Sequence, residues 1–253
     1  MTGQLLLRNR SRGILTLTLN RPDKRNALSA ALIDEFAAAI AEADLDAEVR
    51  VVCVRGAGKD FCAGADLAEL LASADRSLNE NEADAMRLGR LFLALRALPK
   101  PVVAVVQGRA LAGGAGLATA CDIVLAAETA SLGYPEILRG FVPAMVMTML
   151  QRQVGERVAF DLVATGRVLG ASEALELGLV SRVVQEPALQ NEAETLLAAL
   201  AATSASALAF SKQLLYAQDG LPFAEGIALG ARVNAAARAT PDFRTAIAAF
   251  LDR

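Results

Sequence analysis

The stretch that decides the fold is residues 102–117, VVAVVQGRALAGGAGL. Its apolar run Val102–Val106 predicts a buried strand, and the glycines that follow predict a tight turn opening into a helix. A second segment of this kind, Phe61–Leu67 (FCAGADL), follows the apolar run Arg50–Val54. Backbone N–H groups at two such turns can converge on one carbonyl oxygen and stabilise negative charge there. The sequence therefore predicts an oxyanion hole shared by the two glycine segments.

The candidate donors are the backbone N–H groups of Ala63 and Gly113, because small residues let the backbone approach a ligand. Glu136, in the segment GYPEI at 133–137, is the candidate proton carrier. Each feature alone is typical of an ordinary turn or helix start. Together they predict a site that forms an enolate from a thioester carbonyl. The patterns G-x-G-x-x-G and GK[ST] are absent around residues 113–116, which argues against a nucleotide cofactor.

Outward from this stretch, strands and helices alternate, which predicts an α/β core with helices covering the strands. Further strands are expected at Leu5–Arg8, Gly13–Leu19, Ile123–Ala126 and Leu179–Val184. Helices are expected from the cap Ser29 to near Asp44, over Ala83–Leu98, Pro143–Val154, Glu156–Thr165 and Ser172–Leu177, with a polar segment at Ser73–Asn81. The chain from residue 187 is alanine-rich and predicted to be helical, with breaks near Thr203, Gly220 and Thr240. We expect an α/β core at 1–186 and a helical region at 187–253.

The composition excludes several function classes. The 253 residues carry a net charge of −3 without a run of like charges, which argues against nucleic acid as a partner. There is no histidine, so a Ser-His-Asp or Cys-His nucleophile system and a His-ligated metal are excluded, and no metal site is expected. Three scattered cysteines predict reduced, buried thiols. The N-terminal residues do not resemble a signal peptide and no long apolar run occurs, so a cytoplasmic protein without a membrane partner is expected.

The ordered set of segments resembles the crotonase superfamily, also called the enoyl-CoA hydratase/isomerase family. The resemblance runs from about residue 5 to the C-terminus. The segments that carry it are Arg21–Leu28, Phe61–Leu67, Gly108–Leu117, Ala120–Ile123, Gly133–Glu136 and Glu173–Val180.

This resemblance implies a spiral of strand-strand-helix units with a helical C-terminal trimerisation region, in trimers or dimers of trimers. It implies an acyl-CoA thioester substrate, no separate cofactor, and a thioester oxygen held between Ala63 and Gly113. Lys24 and Arg25 lie in the loop that meets the CoA phosphates in relatives. The residues implied to line the substrate and CoA path are Ala63, Gly64, Ala65, Asp66, Leu67, Gly113 and Gly116.

The chain departs from the family pattern in two places. Hydratases of the family typically carry two glutamates, and the position of the first is Gly116 here, whereas Glu136 matches the second. Glu69, Glu80, Glu82 and Asp84 are candidate substitutes, with Glu69 the best of them. The lysine-rich tail of many relatives is also missing, so Arg253 or Lys212 is considered for the CoA phosphates.

Two chemistries compete for the leading hypothesis. Hydration of a short or branched 2-enoyl-CoA would use Glu136 as the acid. Migration of a double bond from position 3 to position 2 needs only one base that takes and returns a proton, which suits a site with a single glutamate. Decarboxylation or hydrolysis of an acyl-CoA, and non-catalytic acyl-CoA binding, are the remaining alternatives.

Overall fold

The computed structural model describes residues 3–252. Its strands are β1 (Leu6–Ser11), β2 (Ile14–Leu19), β3 (Val51–Gly56), β4 (Val102–Val106), β5 (Arg109–Leu111), β6 (Ile123–Ala127), β7 (Ser131–Gly133), β8 (Val168–Gly170) and β9 (Arg182–Val184). Its helices are α1 (Ala30–Leu45), α2 (Leu67–Ala72), α3 (Leu78–Ala97), α4 (Gly113–Ala120), α5 (Ala144–Val154), α6 (Glu156–Thr165), α7 (Ala171–Glu176), α8 (Leu189–Ala202), α9 (Ala205–Ala217), α10 (Phe223–Arg238) and α11 (Pro241–Leu251).

Two sheets organise the core. The larger has the order β1-β2-β3-β4-β6-β9, with β1 antiparallel to β2 and all other neighbours parallel. Every residue of β4 is buried, as expected for a central parallel strand covered on both faces. The smaller sheet has the order β5-β7-β8, in which β5 and β7 are parallel. The α/β prediction is therefore confirmed.

Local sequence explains most helix limits. Ser29 caps α1 by accepting a hydrogen bond from the Leu32 N–H at 3.3 Å, as predicted. Helix α3 begins at Leu78, five residues before the predicted start, because Ser77 and Glu80 form a reciprocal capping box. The amino-acid pattern does not predict β5, β7 and β8, since three-residue strands are too short to show a period.

The C-terminal helices differ in how they meet the core. Leu189, Ala193, Leu196 and Leu197 of α8 are buried in the main hydrophobic cluster, whereas α10 and α11 contain no buried residue. The division at 186/187 thus stays a prediction, with α8 sharing the core of the first part. Within residues 3–252, no single helix has the length and hydropathy to cross a membrane. Glu186–Ala202 and Ala205–Ala217 meet those criteria only as a pair, bent by 102° at their break.

The predicted state of the cysteines agrees with the structure. Cys53, Cys62 and Cys121 are all free and buried. Burial raises the pKa of the Cys53 thiol to about 11 and that of Cys62 to about 12, so both thiols are protonated and unreactive at neutral pH.

Candidate active site

Three parallel segments end at one edge of the molecule. Cys62 pairs with Ala110 in a parallel bridge, and β5 pairs in parallel with β7, so that Leu111 faces Gly133. The chain leaves these segments towards Ala65, Gly113 and Glu136 respectively. Because the carboxyl ends of parallel strands meet at the same edge, the topology brings the two glycine segments and the glutamate together.

A partly buried ion pair links the two glycine segments to each other. The Arg109 guanidinium donates to both carboxylate oxygens of Asp60 at 2.9 Å, and the Arg109 N–H donates to Asp60 Oδ1 at 3.1 Å. Asp60 is buried, and its hydrogen bonds to Arg109 hold the pKa of its carboxyl below the ordinary value. Gly108 lies against this pair, and a Cβ there would be 2.2 Å from the Lys59 carbonyl oxygen. The register of the two segments therefore depends on all three residues.

The structure corrects one of the two predicted oxyanion donors. The N–H of Ala63 already donates to the Arg25 carbonyl oxygen at 2.9 Å, so Ala63 is unavailable and that assignment is wrong. Two residues on, Ala65 is exposed, and its N–H makes no hydrogen bond with any residue from 3 to 252. The Gly113 N–H is equally unpaired among these residues, as expected at the first position of α4. A Cβ built on Gly113 would lie 3.9 Å from the Ala65 nitrogen, so the two free donors are neighbours.

A strained residue aims the Gly113 donor. Ala112 has φ 54° and ψ −127°, a conformation that costs a side-chain-bearing residue about 1–3 kcal/mol. Its N–H donates to the Gly133 carbonyl oxygen at 2.8 Å, which ties it to β7. The unusual ψ turns the following peptide group, so strain in Ala112 sets the direction of the Gly113 N–H.

Glu136 has the environment of a proton carrier. It lies in a short 3-10 turn, Pro135–Arg139, and is 9% exposed. Its Oε2 atom is buried without a hydrogen-bond partner in the described structure. Burial raises the pKa of its carboxyl above the ordinary value, although Arg139 partly opposes this. A carboxyl with a raised pKa and a free oxygen can both take and return a proton near neutral pH.

Two apolar residues that come after the Glu136 turn are exposed within the single chain. Phe141 and Val142 are 45% and 57% exposed, although both follow the turn directly. The neighbouring Tyr134 is fully buried, its hydroxyl has no hydrogen-bond partner among residues 3–252, and burial raises its pKa. Tyr134 therefore packs in the core.

The position of the missing glutamate is closed by apolar side chains. A Cβ built on Gly116 would lie 2.2 Å from Val146 Cγ1 and 3.1 Å from Phe92 Cζ. Val146 and Phe92 are 3% and 5% exposed, so they form a packed wall. The first glutamate of the family pattern is thus absent, and Val146 and Phe92 fill the space that its side chain would need.

None of the four candidate substitutes replaces it. Glu69 accepts a hydrogen bond from the Ala30 N–H at 2.8 Å and so stabilises the start of α1. Glu80 is used in the capping box with Ser77. Asp84 lies 3.7 Å from Arg87 in an exposed ion pair, and Glu82 is exposed. Of the carboxylates considered from the sequence, Glu136 is the candidate acid/base residue that remains.

The basic loop before the site offers two unpaired cations. Lys24 and Arg25 are exposed, and their side chains make no ion pair with residues 3–252. Asp66, by contrast, is bonded to Arg21 at 2.8 Å, which holds the pKa of its carboxyl low, and it also caps α2. Asp66 therefore stabilises this loop through its side chain. Of the other two residues implied to line the CoA path here, Gly64 (φ 97°) is buried and Leu67 is exposed.

Lys212 cannot serve the CoA phosphates, because it is buried. Its ammonium donates to the carbonyl oxygens of Leu95 and Lys100 at 2.8 and 3.1 Å and to Asp122 Oδ2 at 2.8 Å. It joins α9 to the core. The alternative, Arg253, lies outside the described residues.

Comparison with known proteins settles the family. A profile described as enoyl-CoA hydratase/isomerase matches residues 9–253. The chain belongs to the enoyl-CoA hydratase/isomerase family. A Thermus thermophilus protein that bears an enoyl-CoA hydratase name is 41% identical over 240 residues, which are 95% of each chain. The 2,3-dehydroadipyl-CoA hydratase of Escherichia coli is 35% identical, covering 98% of this chain and 96% of that protein.

The solved structures extend this agreement to the fold. The crystal structure of enoyl-CoA hydratase from Mycobacterium smegmatis superimposes with a TM-score of 0.94 at 36% identity, covering 98% of this chain and 96% of the other. The predicted crotonase-like architecture is therefore confirmed, helical C-terminal region included. Enzymes of this family act on acyl-CoA thioesters, and this chain is a member of that class.

Proposed function

We propose that this chain is an enoyl-CoA hydratase that uses one carboxylate, Glu136. The observation that carries the proposal is the free oxygen of a buried glutamate at the edge where the unpaired N–H groups of Ala65 and Gly113 meet. The hydratase names of the relatives support the choice of reaction. The thioester oxygen would accept hydrogen bonds from the two N–H groups, each worth on the order of 3 kcal/mol in the transition state.

In this reaction Glu136 would carry one proton from the attacking water to the substrate. The oxygen of a water adds to C3 of the 2-enoyl thioester, the π electrons move onto the thioester oxygen, and the water proton passes to Glu136. The enolate then takes this proton at C2 and the carbonyl re-forms. One carboxylate thus acts first as base and then as acid, which a raised pKa favours.

Isomerisation is the second candidate, and the closed space at Gly116 favours it. In the isomerisation reaction, Glu136 would remove a proton from C2 of a 3-enoyl thioester and return it at C4, which leaves the double bond between C2 and C3. No water is needed, and the wall of Val146 and Phe92 offers no polar atom to hold one beside Gly116. Both reactions use the same donors and the same base.

The remaining components are proposed from the family. Lys24 and Arg25 would contact the CoA phosphates through charge-assisted hydrogen bonds, since both are exposed beside the first glycine segment. The reaction needs no cofactor, because CoA is part of the substrate and the base is a side chain. The chain is proposed to form trimers, or dimers of trimers.

Mass spectrometry of products formed in ¹⁸O-labelled, deuterated water tests the assignment. The wild type and Glu136→Gln would be offered 2-enoyl- and 3-enoyl-CoA esters, with Glu82→Gln as the matched exposed control. Gain of ¹⁸O by the wild type and the control, lost in Glu136→Gln, is the expected result. Double-bond migration without ¹⁸O would make the chain an isomerase. Unchanged activity in Glu136→Gln would refute both mechanisms.

A further inference from the structure

The segments that carry the two free donors are joined by a very short parallel ladder. Three backbone hydrogen bonds of 2.9, 3.0 and 2.9 Å join residues 61–62 to residues 107–111. Beyond this ladder, no backbone hydrogen bond joins the two segments within the described chain, although the donors Ala65 and Gly113 lie further on. A ladder of this length specifies the register weakly, because it contains few pairs that a slip would break.

The ion pair between Asp60 and Arg109 lies at this ladder and supplies the missing constraint. It adds three hydrogen bonds, two from the guanidinium at 2.9 Å and one from the Arg109 N–H at 3.1 Å. The paired donors of a guanidinium fix both the distance and the orientation of a carboxylate. Gln107 acts in the same direction, because its side-chain amide donates to the Gly56 carbonyl oxygen at 2.7 Å. The first glycine segment is thereby fixed relative to the second.

The pair keeps its charge at the pH at which the site would work. The Asp60 side chain is 5% exposed and that of Arg109 is 37% exposed. Hydrogen bonds from Arg109 lower the pKa of the Asp60 carboxyl against the opposing effect of burial, and the charge of Arg25 lowers it further. Asp60 is therefore ionised at neutral and alkaline pH, and the register that the pair fixes does not change while Glu136 titrates.

We propose that Arg109 is a positioning residue for the reaction. Through Asp60 it holds the N–H groups of Ala65 and Gly113 at the separation that a single thioester oxygen requires. The proposal rests on the proposed function, because it takes these two N–H groups as the oxyanion donors. A displacement of about 1 Å at a catalytic group can cost about 100-fold in rate. Loss of the pair should therefore lower enolate stabilisation and kcat, and leave the binding of CoA largely unchanged.

Acetoacetyl-CoA tests this without turnover, because its C2 proton is acidic and its enolate absorbs in the near ultraviolet. The wild type should bind it and raise its enolate fraction above that of the free ligand at pH 7, the C2 proton passing to solvent. In Arg109→Gln the enolate fraction of the bound ligand should fall about tenfold. The kcat for 2-butenoyl-CoA should fall by a similar factor, whereas the Kd of the saturated ester butanoyl-CoA should change less than about threefold.

Two further variants separate positioning from folding. Arg109→Gln alone leaves a buried carboxylate without its cation and should lower the melting temperature. The double variant Asp60→Asn/Arg109→Gln has no such charge, so its melting temperature should recover while its enolate fraction stays low. Arg152→Gln is the matched control, because it removes an arginine from an exposed ion pair with Asp219 at 2.6 Å and should leave the enolate fraction unchanged.

A wild-type enolate fraction and kcat in folded Arg109→Gln would overturn the proposal. Recovery of both the melting temperature and the enolate fraction in the double variant would overturn it as well, since the charged fork would then be dispensable. If Arg109→Gln does not fold, the double variant decides. Enolisation of acetoacetyl-CoA by the wild type without hydration of any 2-enoyl-CoA would reject the hydratase assignment alone. Binding without enolisation by the wild type would reject the shared oxyanion hole, and this proposal with it.

Discussion

The environment that suits Glu136 for its proposed role in proton transfer has a cost to the fold. Its carboxyl is buried, one oxygen has no partner in the described structure, and burial raises its pKa. A native state that binds a proton more tightly than the unfolded state loses stability as the pH rises through the interval between the two pKa values. The same feature that suits Glu136 for proton transfer therefore destabilises the protein at neutral pH.

Glu136→Gln is predicted to abolish most activity and to stabilise the protein. Loss of a general acid/base is expected to lower kcat by about 10²–10⁴-fold. The melting temperature should rise at pH 8, because the neutral amide has no charge to desolvate. The gain in melting temperature should shrink as the pH falls towards 4.5, the ordinary pKa of a glutamate carboxyl, because the wild-type Glu136 is then also neutral in the folded protein. Scanning calorimetry from pH 4 to 8 measures this, and a constant gain at every pH would contradict it.

Gly116→Ala is predicted to destabilise the protein although alanine favours helices. The added Cβ would stand 2.2 Å from Val146 Cγ1, and overpacking of this kind costs about 1–3 kcal/mol, against about 1 kcal/mol gained from helix propensity.

A double-mutant cycle with Val146→Ala checks the cause in urea unfolding. Gly116→Ala should cost less in the Val146→Ala background, because the clashing methyl group is gone. Gly170→Ala, where a Cβ meets no atom within 4 Å, is the control. An equal cost in both backgrounds would show that Val146 does not close this position.

At the scale of elements, α9 is fastened by a buried polar cluster. Asp122 Oδ2 accepts hydrogen bonds from Lys212 and from the Val102 N–H, and its Oδ1 accepts one from the Tyr216 hydroxyl at 2.7 Å. The Arg96 guanidinium stacks on the Tyr216 ring at 3.8 Å. Burial lowers the pKa of Lys212, and Asp122 opposes this shift. The cluster links α9 to the end of α3 and the start of β4.

Lys212→Met is predicted to destabilise the protein by about 3 kcal/mol, since it leaves the Asp122 carboxylate without its cation. The double variant Lys212→Met/Asp122→Asn should recover part of the loss. In the Lys212→Met variant, amide hydrogen exchange should become faster over residues 205–251. The increase over β3 and β4 should be much smaller. A uniform increase along the chain would contradict a role confined to docking of α9.

At the scale of the whole molecule, the last two helices are unlike the rest. They contain no buried residue, and several large apolar side chains on them are exposed: Phe223, Ile227, Phe243, Ile247, Phe250 and Leu251. Apolar surface of this extent is typical of an interface. We therefore expect these two helices to lie at subunit interfaces of the trimer that the family resemblance implies.

We predict a solution mass of three or six chains by light scattering. Ile227→Glu, which adds a charge to the exposed face of α10, should lower this mass and leave the far-ultraviolet circular dichroism unchanged. Glu82→Gln, an exposed change on α3, is the control. A wild-type monomer would refute the trimer directly.

Much of this architecture could be predicted from the amino-acid order alone. Strand β4, the Ser29 cap, the helices between residues 143 and 177, and the breaks near Thr203, Gly220 and Thr240 all follow from apolar periodicity and from capping and turn residues. These features are decided within a few residues of chain. The ordered set of segments that includes the paired glycine segments and Glu136 also identified the family.

Long-range packing decided the rest, because it depends on contacts that no local pattern encodes. The Ala63 N–H is occupied by Arg25, which leaves Ala65 as the free donor. The space at Gly116 is filled by Val146 from α5, and Lys212 pairs with Asp122, 90 residues away, instead of facing solvent. Glycine spacing shows where the backbone can turn, but only the folded chain determines which N–H groups stay unpaired and which spaces stay open.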